Sequence, residues 1–227
     1  MAHPLPITID VVSDVVCPWC YIGRARLEKA LEAAPEVAVD LRWRPFQLDP
    51  TIPPEGKSRH AYLTDKFGDE ARIRQMHEQI SAVGQAEGIA FDFDAIETAP
   101  NTLNAHRAIR WAATAEPGVQ DGLVGILFAL YFEKGMNIGD PAILIEAAKD
   151  AGMDAAVVET LLATDADKAE VEQEIATAQQ MGVTGVPCFL LEGRYAVVGA
   201  QEAATLADAV RQVAQAKADG TLQKDQT

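Results

Sequence analysis

Four residues, Cys17-Pro18-Trp19-Cys20, stand where a β-branched run ends and a helical pattern begins, and this junction constrains the fold more than any other feature. Ile7 to Val12 reads as a short strand closing on Ser13-Asp14; beyond the cysteines, Leu27, Ala30 and Leu31 share one helical face. After Pro35 the segment Val37 to Phe46 alternates apolar and polar side chains, as a half-buried strand does. A β-α-β unit therefore opens the chain. Pro18 suits the first helical position, where its missing N–H would have had no partner. The sulfur of Cys17 then faces unpaired N–H groups and the positive end of a helix, which favours its thiolate and makes it the nucleophile. Cys20, one turn further in, is placed to attack a mixed disulfide on Cys17 and release the reduced substrate.

From about Lys57 to Met181 helical periodicity dominates, with room for five or six helices. Ile73, Met76, Ile80 and Val83 mark one amphipathic face, Leu103 to Ala115 a second helix and Leu123 to Phe132 a strongly apolar third. Asp140-Pro141 supplies a cap and a first-turn proline, and further helices are expected over Asp154–Leu162 and Asp167–Met181. The acidic run Asp165 to Glu174 reads as a solvated helix start. At Gly182 the β pattern returns. Cys188–Leu191 and Tyr195–Val198 flank a Glu192-Gly193-Arg194 turn, a last helix runs from Gln201 to about Ala216, and the polar Asp219–Thr227 stretch is expected to fray. The order predicts an α/β protein, with residues 1–56 and 182–227 forming one small domain and residues 57–181 a helical domain inserted into it.

With 227 residues, 48% of them hydrophobic, the chain can bury a core without disulfide staples. A formal net charge of −15 opposes binding to nucleic acid or to an anionic membrane surface, because both need clustered Lys and Arg. Met1 to Asp14 has no basic start, long apolar run or small-residue cleavage site, and no later segment suits a membrane span, so a cytoplasmic location is expected. Three cysteines, Cys17, Cys20 and Cys188, are too few for a secreted disulfide scaffold. In a reducing compartment the Cys17/Cys20 pair is catalytic or metal-binding. A zinc site needs further ligands, and no second C-x-x-C exists, so no metal and no organic cofactor is expected.

The C-x-x-C opening a helix after a strand, with Val186-Pro187 before a late hairpin, resembles the thioredoxin superfamily and, within it, the DsbA family with a helical insertion. Cys17-Pro18-Trp19-Cys20-Tyr21-Ile22-Gly23, Arg44-Pro45-Phe46-Gln47-Leu48, Asn101-Thr102 with Ala105-His106-Arg107, and Gly182-Val183-Thr184-Gly185-Val186-Pro187 look like its FrnE-like branch. The resemblance implies a thioredoxin-like fold, a cis Pro187 set against the cysteine pair, and a Val186 backbone offered to an extended substrate. It also implies a thiol/disulfide oxidoreductase acting on protein or small-molecule disulfides and thiols, glutathione among them. Relatives on the same fold include glutathione-using isomerases and kappa-class transferases, which generally lack the full cysteine pair.

Each residue so singled out also has a plainer reading. Trp19 is a surface aromatic, or it shields the sulfurs and offers substrate an apolar contact. Cys188, next to Pro187, reads first as a small buried hydrophobe; the alternative pairs it with Cys17 or makes it a third thiolate of a metal site. His106 reads first as a helix-surface histidine, or else it approaches the active site from the helical segment. Asn101, Trp111 and Phe46 are core residues or line a cleft between the segments. Two other functions stay open: a glutathione-dependent isomerase or transferase using Cys17, and a non-enzymatic chaperone or metal-binding module. The residues also leave the direction of electron flow open, since that depends on the relative stability of dithiol and disulfide.

Overall fold

In a computed structural model, residues 6–222 are described; the first residues of the N-terminal stretch and residues 223–227 of the polar tail lie outside them. Strand β1 (Ile7–Ser13) runs into helix α1 (Pro18–Ala33), and β2 (Val39–Pro45) returns parallel to β1, with Ile7 opposite Val39 and Ser13 opposite Pro45. The next elements are β3 (Lys57–Ser58), α2 (Arg59–Phe67), α3 (Glu70–Glu87), β4 (Thr98–Ala99), α4 (Leu103–Ala112) and α5 (Val119–Phe132). They are followed by α6 (Pro141–Asp150), α7 (Ala155–Leu162) and α8 (Lys168–Gln180), and the chain closes with β5 (Cys188–Leu191), β6 (Tyr195–Val198) and α9 (Ala203–Ala218). The main sheet has the order β2-β1-β5-β6, with β5 antiparallel to both neighbours. This is the expected thioredoxin-like α/β fold with a large helical insertion between β2 and β5.

β1 has both edges paired, by β2 and β5, and apolar packing on both faces: Ile7, Ile9 and Val11 lie in one apolar cluster and Val12 in another. Its first half alternates, with Thr8 and Asp10 only half-buried between Ile7, Ile9 and Val11, and burial is continuous only from Val11 to Ser13. The β5–β6 hairpin turns at Glu192 and Gly193, both with positive φ. Asp140 and Asp154 cap α6 and α7 by accepting from the N–H groups of Ala142 and of Ala156 and Val157.

Seven helices, not five or six, fill the segment between β2 and β5 among the described residues. The additional one is α2, only nine residues long with Leu63 and Phe67 one turn apart; its start is set by a Ser58 cap and by the β3–β4 pair, in which Lys57 faces Ala99 and Ser58 faces Thr98. The helices share one core with the sheet. A single apolar cluster joins Ile9, Ile22 and Trp43 to Leu123, Phe128 and Phe132. Tyr21 stacks on Phe128 at 5.0 Å, and Arg24 of α1 forms two hydrogen bonds to Asp121 of α5, at 3.1 and 2.7 Å. The indole of Trp43 donates to the same carboxylate at 3.1 Å.

Candidate active site

Cys17 is the N-cap residue of α1, with φ −94° and ψ 114°, and its N–H donates to the Asp14 carbonyl at 2.9 Å. No side chain caps the helix; Pro18 has no N–H to offer, and the N–H groups of Cys20 and Tyr21 donate to the Cys17 carbonyl at 3.0 and 3.3 Å, so the Cys17 side chain stands at the bare positive end of α1. Cys17 and Cys20 are free thiols, 5% and 1% exposed, and Trp19 between them is 41% exposed. Burial, reinforced by the neighbouring Cys17, pushes the Cys20 thiol well above its ordinary pKa. The two sulfurs thus differ: Cys17 lines an open cleft while Cys20 sits behind it, protonated.

The Val186–Pro187 peptide is cis, and the Cys17 thiol donates to the Val186 carbonyl at 3.8 Å. Val186 lines the cleft beside Cys17. Pro187 packs on α1 instead: a Cβ added at Gly23 would lie 2.8 Å from its Cγ and 3.3 Å from Phe189. Gly23, one turn beyond the cysteines, therefore sets how closely the Val186-Pro187 loop approaches α1.

His106 is not on a helix surface. It is 3% exposed, with Nε2 3.3 Å from Oδ1 of the equally buried Asp14, whose Oδ2 accepts from the Leu48 N–H at 2.8 Å. The default reading fails because helical spacing cannot show that this face of α4 packs beneath the loop carrying Cys17. Ser13, also buried, has a hydroxyl with no hydrogen-bond partner of its own, and it lies where it favours the Cys20 thiolate. Neither Ser13 nor Asp14 was legible as more than a strand end; the signal available was two polar residues closing an otherwise apolar run.

Asn101 braces the site without lining the cleft. Its Nδ2 donates to the Ile52 carbonyl at 2.6 Å, and its Oδ1 accepts from the Leu103 N–H and from Gln47. Phe46 and Trp111 also lie outside the cleft lining. Phe46 packs with Val12, Ala178, Val183 and Cys188, and Trp111 donates to Asp167 at 2.8 Å. The acidic start of α8 is accordingly not merely solvated: Arg110 pairs with Asp167 and Glu174, fastening α8 to α4.

Cys188, 2% exposed, belongs to this Phe46 cluster, whereas Cys17 and Cys20 belong to the main core. Burial raises its thiol pKa. It has the surroundings of a small hydrophobe. Among the described residues, no group of three or more His, Cys, Asp or Glu side chains converges to hold a metal.

The cleft at Cys17 has a volume of about 410 Å³. Pro18, Trp19 and Val186 form its wall on the cysteine side, and α2, α3 and Phe93 form the opposite wall. A larger hollow of about 930 Å³ lies between α2, α3 and the 91–96 loop, but it does not reach the cysteines. Of the two, the smaller cleft is the one that Cys17 lines.

The family model described as a DSBA-like thioredoxin domain matches residues 8–211. The chain belongs to this family. A crystal structure of a probable DsbA oxidoreductase from Streptomyces coelicolor is 32% identical, with 97% of this chain and 93% of that one aligned and a TM-score of 0.83. The uncharacterized protein YwbO of Bacillus subtilis is 26% identical over 188 residues, 82% of this chain and 88% of the relative. The cytosolic disulfide reductase DsbM from Pseudomonas aeruginosa, solved with GSH, shares the fold at 19% identity and a TM-score of 0.57, covering 93% of this chain and 99% of that one. Membership of this DSBA-like family makes the chain a thiol–disulfide oxidoreductase in broad class. No helix among the described residues is long and apolar enough to cross a membrane.

Proposed function

We propose that Cys17 and Cys20 are the redox pair of this oxidoreductase and that Pro18, Trp19 and Val186 form its substrate-binding rim, with Pro187 acting from behind by seating the Val186 backbone against α1. The observation that carries this reading is the asymmetry of the pair: Cys17 lies at an uncapped helix N-terminus facing the cleft, and Cys20 is buried behind it with its proton held. The Cys17 thiolate attacks one sulfur of a substrate disulfide, whose S–S bond breaks and releases one half as a thiolate that takes up a proton. Cys20 then loses its proton, and its sulfur attacks Cys17 in the mixed disulfide. The second half leaves as a thiol, and two electrons have passed from the Cys17/Cys20 dithiol to the substrate. The reverse sequence oxidises a substrate dithiol.

In the reduced protein the Val186 carbonyl accepts from Cys17; once the proton is gone, it is free to accept from a substrate backbone. Ser13 and the Asp14–His106 pair support this step from behind as positioning residues. The partners are thiol- and disulfide-containing molecules, with glutathione a candidate in keeping with the GSH-bound DsbM structure. The working compartment is the cytoplasm. Residues 1–56 and 182–227 act as the catalytic thioredoxin unit, and residues 57–181 as the helical unit that walls the cleft.

The test is a redox titration across glutathione ratios, trapping free thiols by alkylation and counting modified cysteines by mass. A two-thiol transition that survives Cys188→Ser and disappears in both Cys17→Ser and Cys20→Ser is expected. Loss of the transition in Cys188→Ser, or a pair that resists oxidation at every ratio, overturns the assignment. Turnover of a glutathione-dependent reaction that persists in Cys20→Ser would instead favour the isomerase or transferase reading.

A further inference from the structure

Arg59, the first residue of α2, lines the redox cleft although it is only 8% exposed. One guanidinium nitrogen donates to the Tyr131 hydroxyl at 3.3 Å, and another lies 3.4 Å from Nε2 of His77. The group sits over the rings of Phe93 and Tyr131, at 5.5 and 5.9 Å. All these neighbours are neutral or aromatic: burial and the Arg59 charge itself hold His77 below its ordinary pKa, which leaves the imidazole uncharged at neutral pH.

No carboxylate among the described residues pairs with Arg59, in a chain whose net charge is −15. The two acidic residues of the cleft are already engaged, Asp14 with His106 and the Leu48 N–H, and Asp49 with the Thr51 N–H and hydroxyl. Glu70, Glu78, Asp92 and Asp94 of the neighbouring hollow form no ion pair with it either. A buried cation without a counter-ion is costly, and such groups are ordinarily paired. A second cation, Lys66, stands at the same cleft: its ammonium donates to the Tyr62 hydroxyl and faces the rings of Tyr62 and Phe67, and its charge also acts on the Asp49 carboxylate.

We infer that Arg59 is the carboxylate-recognition residue of the cleft, and that the substrate is a low-molecular-weight thiol or disulfide carrying a carboxylate a few bonds from its sulfur. This rests on the reading of Cys17 as the nucleophile. The cleft, about 410 Å³, has the size of small-molecule sites, roughly 300–1,000 Å³. Its apolar wall takes the carbon chain, the guanidinium of Arg59 donates two parallel N–H bonds to the carboxylate, and Lys66 adds charge at the rim. The substrate supplies the counter-ion that the fold withholds, so binding relieves an unpaired buried charge. Elsewhere the negative surface repels anions, so selectivity for an acidic disulfide has to arise in the cleft.

Two nearly isosteric disulfides separate charge from shape: dithiodipropionate, a dianion, and dithiodipropionamide, which is neutral. The rate at which each oxidises the Cys17/Cys20 dithiol is divided by its rate with dithiothreitol, and the ratio of the two normalised rates measures selectivity. Wild type is expected to favour the anion by about tenfold or more, the scale of a charge-assisted hydrogen-bonded contact. Arg59→Met should abolish the preference or reverse its sign, and Arg59→Lys should keep part of it.

Added salt is a second test that needs no variant. It should slow the wild-type reaction with the dianion if a local cation attracts it, and speed it if only the global negative field acts. An absent wild-type preference, a preference that survives Arg59→Met, or acceleration of the anion by salt overturns the inference while leaving the redox pair standing. If neither disulfide oxidises the wild-type pair, the redox reading fails and the inference falls with it.

Discussion

Cys17 and Cys20 are chemically alike and made unlike by position. The first sulfur stands at the uncapped, positive end of α1, and the α1 backbone carries the second into the core, where ionisation is opposed by lost solvation. Iodoacetamide at neutral pH should therefore alkylate Cys17 in the native reduced protein and leave Cys20 and Cys188 unmodified, whereas all three should react in urea; peptide mapping by mass reads this directly. Fast native labelling of Cys20 would contradict the burial that separates the two roles. The same logic of position applies to His106. Nothing at i±3 or i±4 along α4 announces a partner, because Asp14 is 92 residues away in sequence. Arg59 was equally invisible, since an unpaired charge is a property of its surroundings and not of its neighbours in the chain.

Among the elements, α1 is held from several sides. Arg26 donates to Glu87 at the end of α3 at 2.7 Å and to the Ala200 carbonyl at 2.7 Å, while Lys29 reaches the same Glu87 at 2.6 Å. Burial alone would push the Glu87 carboxyl up; the hydrogen bonds from Lys29 and Arg26 outweigh it and hold the group below the usual carboxylate range. A carboxylate depressed in the folded state contributes stability that is complete above its unfolded pKa of about 4.3 and is lost as pH falls through the lower folded value. Glu87→Gln should accordingly destabilise the protein by about 1–3 kcal/mol at pH 7, and the difference from wild type should shrink towards acid, as urea denaturation at several pH values would show. A gap that stays constant down to pH 3 would argue against this linkage. The loop facing α1 depends on Gly23. Gly23→Ala must push Pro187 back from the helix, with an expected loss of about 1–3 kcal/mol in the same assay and slower oxidation of the pair by any disulfide. Unchanged stability together with an unchanged rate would mean that the loop yields without consequence.

At the scale of the whole molecule, the single apolar cluster running from Ile9 through Phe128 makes the sheet and the helical segment one cooperative body. Trp19 between the two cysteines of α1, Trp43 on β2 and Trp111 on α4 report on different parts of it. Urea transitions followed by tryptophan fluorescence and by helical circular dichroism should coincide; two separated transitions would show that the segments unfold independently. Much of this architecture was legible beforehand. The C-x-x-C at a strand-to-helix junction, the change from period two to helical period and back, and the capping aspartates Asp140 and Asp154 are local patterns, and local patterns reflect backbone geometry that each short stretch adopts by itself. Helix α2 escaped because nine residues are too few for its period to stand out, and its start is set by the Ser58 cap and the β3–β4 pair. The sequence by itself determined the fold class, the cysteine pair and the order of the main elements, though not β3, α2 or β4. Only the tertiary structure decided that His106 meets Asp14, that Cys188 packs on Phe46, and that Arg59 faces the cleft with no carboxylate partner among the described residues, because burial and pairing are set by which distant faces come together and leave no mark in the spacing of residues along one chain.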